Sequence, residues 1–129
     1  MRQLRVLGAA ALLVFMAAQG LLAQQDPFGV ALSVNGRVVT NYEIDQRVRF
    51  LTLLRAPGNS REDAEKALID ERLQLQAARQ ADITVSEQEI QEGLAEFAGR
   101  ANLDVAQFTR VLAQGGVAPE TFRAFVTAG

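Results

Sequence analysis

The 129-residue chain contains no cysteine, no histidine and no tryptophan. Without cysteine the fold cannot be held by disulfides, so its stability has to come from packing. Without histidine or cysteine the chain cannot build a Ser–His–Asp or Cys–His nucleophile system. The same absences exclude zinc sites that depend on thiolate or imidazole ligands. We therefore expect a segment with no catalytic residues, no bound metal and no cofactor.

Carboxylates are the remaining groups with acid–base chemistry, and most of them fall on predicted helix surfaces. They form two runs, Glu62, Asp63 and Glu65, and then Glu87, Glu89, Glu92 and Glu96. Such runs are typical of solvated faces, or of acidic first turns that complement the helix dipole. An acid–base pair among them is the alternative interpretation, but no aromatic-lined polar pocket is indicated around them.

The first 23 residues have the pattern of a cleavable secretory signal. Arg2 and Arg5 precede an unbroken run of 13 apolar or glycine residues, Val6–Ala18, and no acidic residue occurs before Asp26. A helix that crosses a membrane needs about 20 residues, so this run is too short to span but fits the apolar core of a signal peptide. An uncleaved membrane anchor is the alternative.

We expect cleavage between Ala23 and Gln24, with a cut after Gly20 as the alternative, and no stable membrane insertion afterwards. Residues 24–29 are then a linker and residues 30–129 one small domain. Two of the 13 basic residues lie in the leader, which leaves 11 against 15 acidic ones, a net charge of about −4. A mildly acidic domain lacks the basic face that nucleic-acid binding requires.

A β-hairpin is the clearest local signal in the exported part. Asn35–Gly36 separates two short runs rich in β-branched residues, Val30–Val34 and Arg37–Thr40. Asn–Gly favours a type I′ turn, because both residues tolerate positive φ. Arms of four or five residues are not stable alone, so another element has to cover them.

After the hairpin the apolar period changes to that of helices. Four helices begin at a capping residue that is followed three positions later by Glu, Asp or Gln, and Pro119 suits the first position of a fifth. The caps are Thr40, Ser60, Ser86 and Asp104. The first helix should run to about Arg55 and the second to about Gln80, and Gly115–Gly116 should stop the fourth.

Two of the apolar stripes carry further predictions. The stripe from Ala64 to Ala78 is wide, which indicates that the second helix packs on more than one neighbour. The fourth helix should bury Phe108, Val111 and Leu112. We therefore predict a mainly α fold, with a short N-terminal β-hairpin followed by a bundle of about five helices, truncated at the C-terminus.

The order of these elements, with particular residues in place, resembles the N-terminal domain of the SurA family of periplasmic chaperones and parvulin-type peptidyl-prolyl isomerases. The resemblance covers about residues 30–123. Its residues are Val34–Asp45, Leu68–Leu73, Gln76, Ile83–Ile90, Asn102–Asp104, Leu112–Gly115 and Thr121–Arg123.

The resemblance implies an ATP-independent periplasmic chaperone for unfolded outer-membrane β-barrel proteins. In such relatives this domain precedes one or two parvulin domains, and a C-terminal segment returns to complete its core. The segment itself is then no enzyme, whereas a longer parent would carry the isomerase domains. Self-association through the uncompleted core is a further expectation.

An apolar groove is the binding site that this reading requires. We expect Phe97, Phe122 and Phe125 to contact peptides, because they lie toward the end of the chain, and Phe50 and Phe108 to be core residues. The alternative function is a non-catalytic helical module for dimerisation or assembly of an exported protein.

Overall fold

A computed structural model describes residues 26–129, so the predicted signal peptide and its cleavage site at Ala23 and Gln24 lie outside the described residues. The elements are strands β1 (Val30–Val34) and β2 (Arg37–Thr40) and helices α1 (Asn41–Leu53), α2 (Arg61–Gln80), α3 (Glu87–Gly99), α4 (Val105–Gln114) and α5 (Pro119–Ala128). The predicted fold, a hairpin followed by five helices, is confirmed. No helix in the described range is both long and apolar enough to cross a membrane.

The hairpin has the predicted turn. Val34 pairs with Arg37 in the antiparallel ladder, and the two turn residues both have positive φ, 49° at Asn35 and 80° at Gly36. Positive φ at both central positions defines a type I′ turn and suits the twist of the strands. The expected cover comes from α1 and α2, which bury the side chain of Val39 completely.

Side-chain caps start four of the five helices, as predicted. Thr40, Ser60, Ser86 and Asp104 each accept a hydrogen bond from the backbone N–H three residues later, and α5 begins with Pro119. At α3 the Glu89 carboxylate accepts in turn from the backbone and hydroxyl of Ser86, which lowers the pKa of that carboxyl. Helix α1 ends at Leu53, before the predicted Arg55, because Arg55 adopts a left-handed φ of 53°.

The apolar interior is divided between two clusters. The hairpin cluster joins the sheet to α1 and α2 and consists of Val39, Ile44, Ala64 and Leu68. The helical core joins α1 to α3, α4 and α5 and consists of Phe50, Ile90, Leu94, Ala98, Phe108, Leu112, Val117 and Phe122. Helix α1 contributes Ile44 to the hairpin cluster and Phe50 to the helical core. Its buried polar residues, Gln46 and Arg47, lie between these two positions in the sequence.

Gln46 fixes the start of α5 against α1. Its side-chain amide donates to the carbonyl of Gly116 at 2.9 Å. Its oxygen accepts from the backbone N–H of Ala118 at 2.8 Å and from the hydroxyl of Thr121 at 2.9 Å. Because a buried amide is costly unless it is paired, these three bonds tie the α4–α5 turn to the middle of α1.

Close helix packing places α5 along α3 as well. A Cβ added to Gly93 of α3 would lie 2.7 Å from a methyl carbon of Val126 of α5, so only glycine allows this approach. A Cβ added to Gly99, at the end of the same helix, would meet nothing within 4 Å.

One of the two predictions from apolar stripes is wrong and the other is confirmed. Val111 is 49% exposed, because α4 turns only the face of Phe108 and Leu112 inward. On α2 only Ala64 and Leu68 are buried, and Leu73 is 44% exposed. Helix α2 nevertheless contacts α1, α5 and both strands, which confirms that its wide stripe packs on more than one neighbour.

Candidate peptide-binding cleft

A cleft of about 310 Å³ lies where α5 passes α1 and α2. Its apolar walls come from Leu68 and Leu75 of α2 and from Ala124 and Ala128 of α5. The spacings of seven and four residues place each pair on one face of its helix. The volume is at the lower end of the range for ligand sites, about 300 to 1,000 Å³, which suits a few side chains rather than a whole folded partner.

An ion pair between α1 and α2 forms part of the cleft wall. The two terminal nitrogens of Arg47 donate to the two carboxylate oxygens of Glu71, at 2.6 and 2.8 Å. The Arg47 side chain is only 4% exposed and that of Glu71 16%. Bidentate, charge-assisted bonds of this kind are strong and fix both side chains in one plane. Arg72 of α2 makes a second ion pair, with Glu43 of α1.

Arg47 also separates the cleft from the aromatic side chains of the helical core. Its guanidinium carbon lies 5.1 Å from the ring centre of Phe125, within the range of a cation–π contact. Its Nε has no hydrogen-bond acceptor within the part of the chain that the structure describes. The cleft therefore ends on a planar cation that is held by Glu71 on one side and covers Phe125 on the other.

The two other charged residues of the cleft lie on α5 and differ in their pairing. Arg123 is turned toward α3, where it donates to both carboxylate oxygens of Glu87, at 2.9 and 2.5 Å. This bond from Arg123, aided by one from Gln91, lowers the pKa of Glu87 to about 2 and raises the pKa of Arg123. Glu120 lines the cleft and makes no ion pair with any residue of the range 26–129.

The phenylalanines predicted to bind peptides do not line this cleft. Phe122 is 2% exposed, with its ring centre 5.0 Å from that of Phe108 and 6.1 Å from that of Phe50. In the folded domain it is a core residue and offers no surface to a peptide. The expectation that Phe50 and Phe108 belong to the core is confirmed.

Phe97 and Phe125 are half-buried at the edge of the same core. Their ring centres are 5.5 Å apart in an edge-on arrangement. Arg47 covers Phe125, and the guanidinium of Arg100 lies 5.6 Å from the centre of Phe97. Nearness to the end of the chain did not leave these rings open, because amphipathic α5 turns its aromatic face onto α1 and α3.

Comparison with known proteins identifies the family. The sequence profile of the SurA N-terminal domain matches residues 29–128. The chain belongs to the SurA N-terminal domain family. Chaperone SurA of Yersinia pestis bv. Antiqua is 29% identical over 119 residues, which cover 86% of this chain and 27% of that protein. Chaperone SurA of Albidiferax ferrireducens is 33% identical over 115 residues, which cover 83% of this chain and 24% of that protein.

This SurA N-terminal domain therefore spans about a quarter of the length of the curated relatives that it matches. No solved structure gives a significant match. The match is to the N-terminal domain of a chaperone family and not to a parvulin isomerase domain, which agrees with the prediction that this segment is not an enzyme.

Sequence reasoning missed the cleft-lining residues of this SurA domain. The wide stripe on α2 was a signal for Leu68 and Leu75, since it was broader than one contact face requires. Ala124 and Ala128 gave no signal, because alanine is the best helix former and is common on every helix face. Nothing in the sequence indicated that Arg47 and Glu71, 24 positions apart, would meet.

Proposed function

We propose that this chain is an ATP-independent periplasmic chaperone domain. It binds unfolded outer-membrane β-barrel proteins and assists their folding and assembly into the outer membrane. The observation that carries the proposal is an apolar cleft between α2 and α5 in a domain of the SurA chaperone family. For the whole parent protein, parvulin-type isomerase activity is a proposal that rests on the family resemblance.

The chemistry of the cleft suits weak holding of an apolar segment. Strands of outer-membrane proteins alternate apolar and polar residues and carry aromatic girdles. Burying one large apolar side chain contributes about 1.5 to 3 kcal/mol. Two such side chains contribute about 3 to 6 kcal/mol, and ordering the peptide subtracts from that. Dissociation constants above about 40 µM follow, so a client is released without ATP.

Export to the periplasm is the part of the proposal that rests on the leader. Its charge and length pattern predicts a mature protein that begins at Gln24. Intact-mass analysis of the exported protein tests this expectation. A product that still begins at Met1 and extracts with the membrane would contradict it.

Filling the cleft is the direct test of the binding site. Ala124→Trp places an indole between α2 and α5, whereas Ala95→Trp places the same group on the exposed outer face of α3. We expect the wild-type chain and Ala95→Trp to suppress aggregation of an unfolded outer-membrane β-barrel protein diluted from urea. Ala124→Trp should retain its helical circular dichroism and lose most of that suppression.

Two other outcomes have clear meanings in the same assay. Equal suppression by both tryptophan variants would remove the cleft as the binding site. A wild-type chain that suppresses nothing but forms dimers with rising concentration would replace the chaperone function by the alternative, a helical assembly module.

A further inference from the structure

We infer that the cleft selects an extended segment in which apolar residues lie two and four positions from one basic residue. This inference rests on the proposed function and adds the chemical class of segment that the site accepts. The two features that lead to it are the charge of Glu120, which has no ion-pair partner in the described part of the chain, and the spacing of three cleft residues along α5.

Charge complementarity supplies the first part of the argument. Six charged side chains line the cleft, and four of them neutralise one another in the pairs Arg47–Glu71 and Arg72–Glu43. Arg123 is engaged outside the cleft by the carboxylate of Glu87. Among the described residues this leaves the carboxylate of Glu120 as the lining charge without an ion-pair partner. A cationic side chain is therefore attracted to this end of the cleft, and an anionic one is repelled.

Spacing supplies the second part. Glu120, Ala124 and Ala128 follow one another at intervals of four residues on the same side of α5. Four helical residues rise about 6 Å, and two residues of an extended chain span about 6.6 Å with their side chains on the same side. An extended segment that runs along α5 in either direction thus brings one residue opposite Glu120 and the residues two and four positions from it opposite Ala124 and Ala128.

The apolar side of α2 completes this subsite. Leu68 and Leu75 lie two helical turns apart, about 10.5 Å, and face the same cleft. An apolar residue opposite Ala124 or Ala128 is therefore enclosed between an alanine of α5 and the leucines of α2. The intervening residues of the segment point away from the cleft, so polar side chains are accepted there.

Glu120 also occupies the first turn of α5, where an acidic residue stabilises the helix through its dipole. That role affects only the stability of the domain. Selection of a basic segment affects the ratio of two peptide affinities, which helix stabilisation does not change. The two roles are therefore separable by experiment.

The test compares two fluorescent peptides that differ in one residue. In one, leucine stands at the second and fourth positions on both sides of a central lysine, with serine between, so that the peptide fits in either direction, and in the other glutamate replaces the lysine. Each is titrated by fluorescence anisotropy with the wild-type chain and with Glu120→Lys. Glu92→Lys is the matched control, because Glu92 is exposed on α3 outside the cleft and the change in net charge is the same.

For the wild-type chain and for Glu92→Lys we expect the lysine peptide to bind more tightly. Attraction of lysine to an exposed carboxylate, or repulsion of glutamate from it, changes the affinity of a peptide by about 1.4- to 5-fold. The affinities of the two peptides should therefore differ by about 2- to 25-fold. Glu120→Lys should reverse the order. The separation should shrink toward 1 M salt, where the screening length falls to about 3 Å.

Each contrary result is decisive. Equal affinity of the two peptides for the wild-type chain, or an unchanged order in Glu120→Lys, overturns the inference and leaves the proposed function standing. A reversed order in Glu92→Lys as well would mean that net charge rather than the cleft selects the peptide, and this also overturns it. Failure of both peptides to bind at millimolar concentration overturns the proposed function and the inference together.

Discussion

Replacing Arg47 by methionine removes one partner of the ion pair between α1 and α2 and keeps much of the side-chain volume. Glu71 would then be left without its cation at 16% side-chain exposure. Breaking a buried pair from one side costs about 3 to 5 kcal/mol, because the remaining charge is desolvated and unpaired. Domains of this size are stable by about 5 to 15 kcal/mol, so the loss is a large fraction of the total.

The partner variant and the double variant sharpen this prediction. Glu71→Leu alone should lower the free energy of unfolding by a similar amount, since the Arg47 side chain is 4% exposed and its Nε has no acceptor among the described residues. The double variant Arg47→Met with Glu71→Leu removes both charges, and its stability should lie within about 1 kcal/mol of wild type or above it. The coupling energy of the pair is then several kcal/mol.

Urea unfolding followed by far-ultraviolet circular dichroism measures all four proteins. Arg61→Met is the control, because the side chains in its pairs with Asp45 and Glu65 are between 34% and 56% exposed. Such an exposed pair contributes about 0 to 1 kcal/mol. The reasoning would be refuted if the single variants at Arg47 and Glu71 each lowered the free energy of unfolding by less than about 1 kcal/mol, because the pair would then behave as an exposed one.

Further predictions concern the core, the helix contact and acid stability, all measured by denaturation. Phe122→Ala should destabilise the domain by about 3 to 5 kcal/mol, whereas Phe28→Ala, at 70% exposure, should change the free energy of unfolding by about 0.5 kcal/mol or less. Gly93→Ala should cost about 1 to 3 kcal/mol by overpacking α5, whereas Gly99→Ala should be neutral or stabilise by up to about 1 kcal/mol through helix propensity. The lowered pKa of Glu87 stabilises the fold above the ordinary value of 4.5, and that contribution is lost as the pH falls toward 2. Glu87→Gln should therefore flatten the dependence of stability on pH between these values, and an unchanged slope would contradict this assignment.

Most of the local structure of this SurA domain follows from signals within four residues of one another. The type I′ turn follows from Asn35–Gly36, since these two residues adopt positive φ at low cost. The starts of α1 to α4 follow from a side chain that satisfies the free N–H three residues later. Such interactions need no information from the rest of the chain, and they were predictable for that reason.

The candidate site depends on contacts between residues far apart in the chain. Gln46 meets Gly116 across 70 positions, and this contact sets α5 beside α1. The apolar period shows which side of a helix is buried, but it does not show against which neighbour. Nearness to the end of the chain favours a groove position for Phe122, whereas α5 buries this residue in the core.

The cleft exists because α5 passes α1 and α2 without filling the space between them. The sequence alone determined that α2 carries a wide apolar stripe. Only the tertiary structure decided that Leu75 would face an open cleft and that Glu120 would stand at its edge without an ion-pair partner among residues 26–129. The physical reason is that an apolar stripe is a property of one helix, whereas a cleft depends on the distances between α1, α2 and α5.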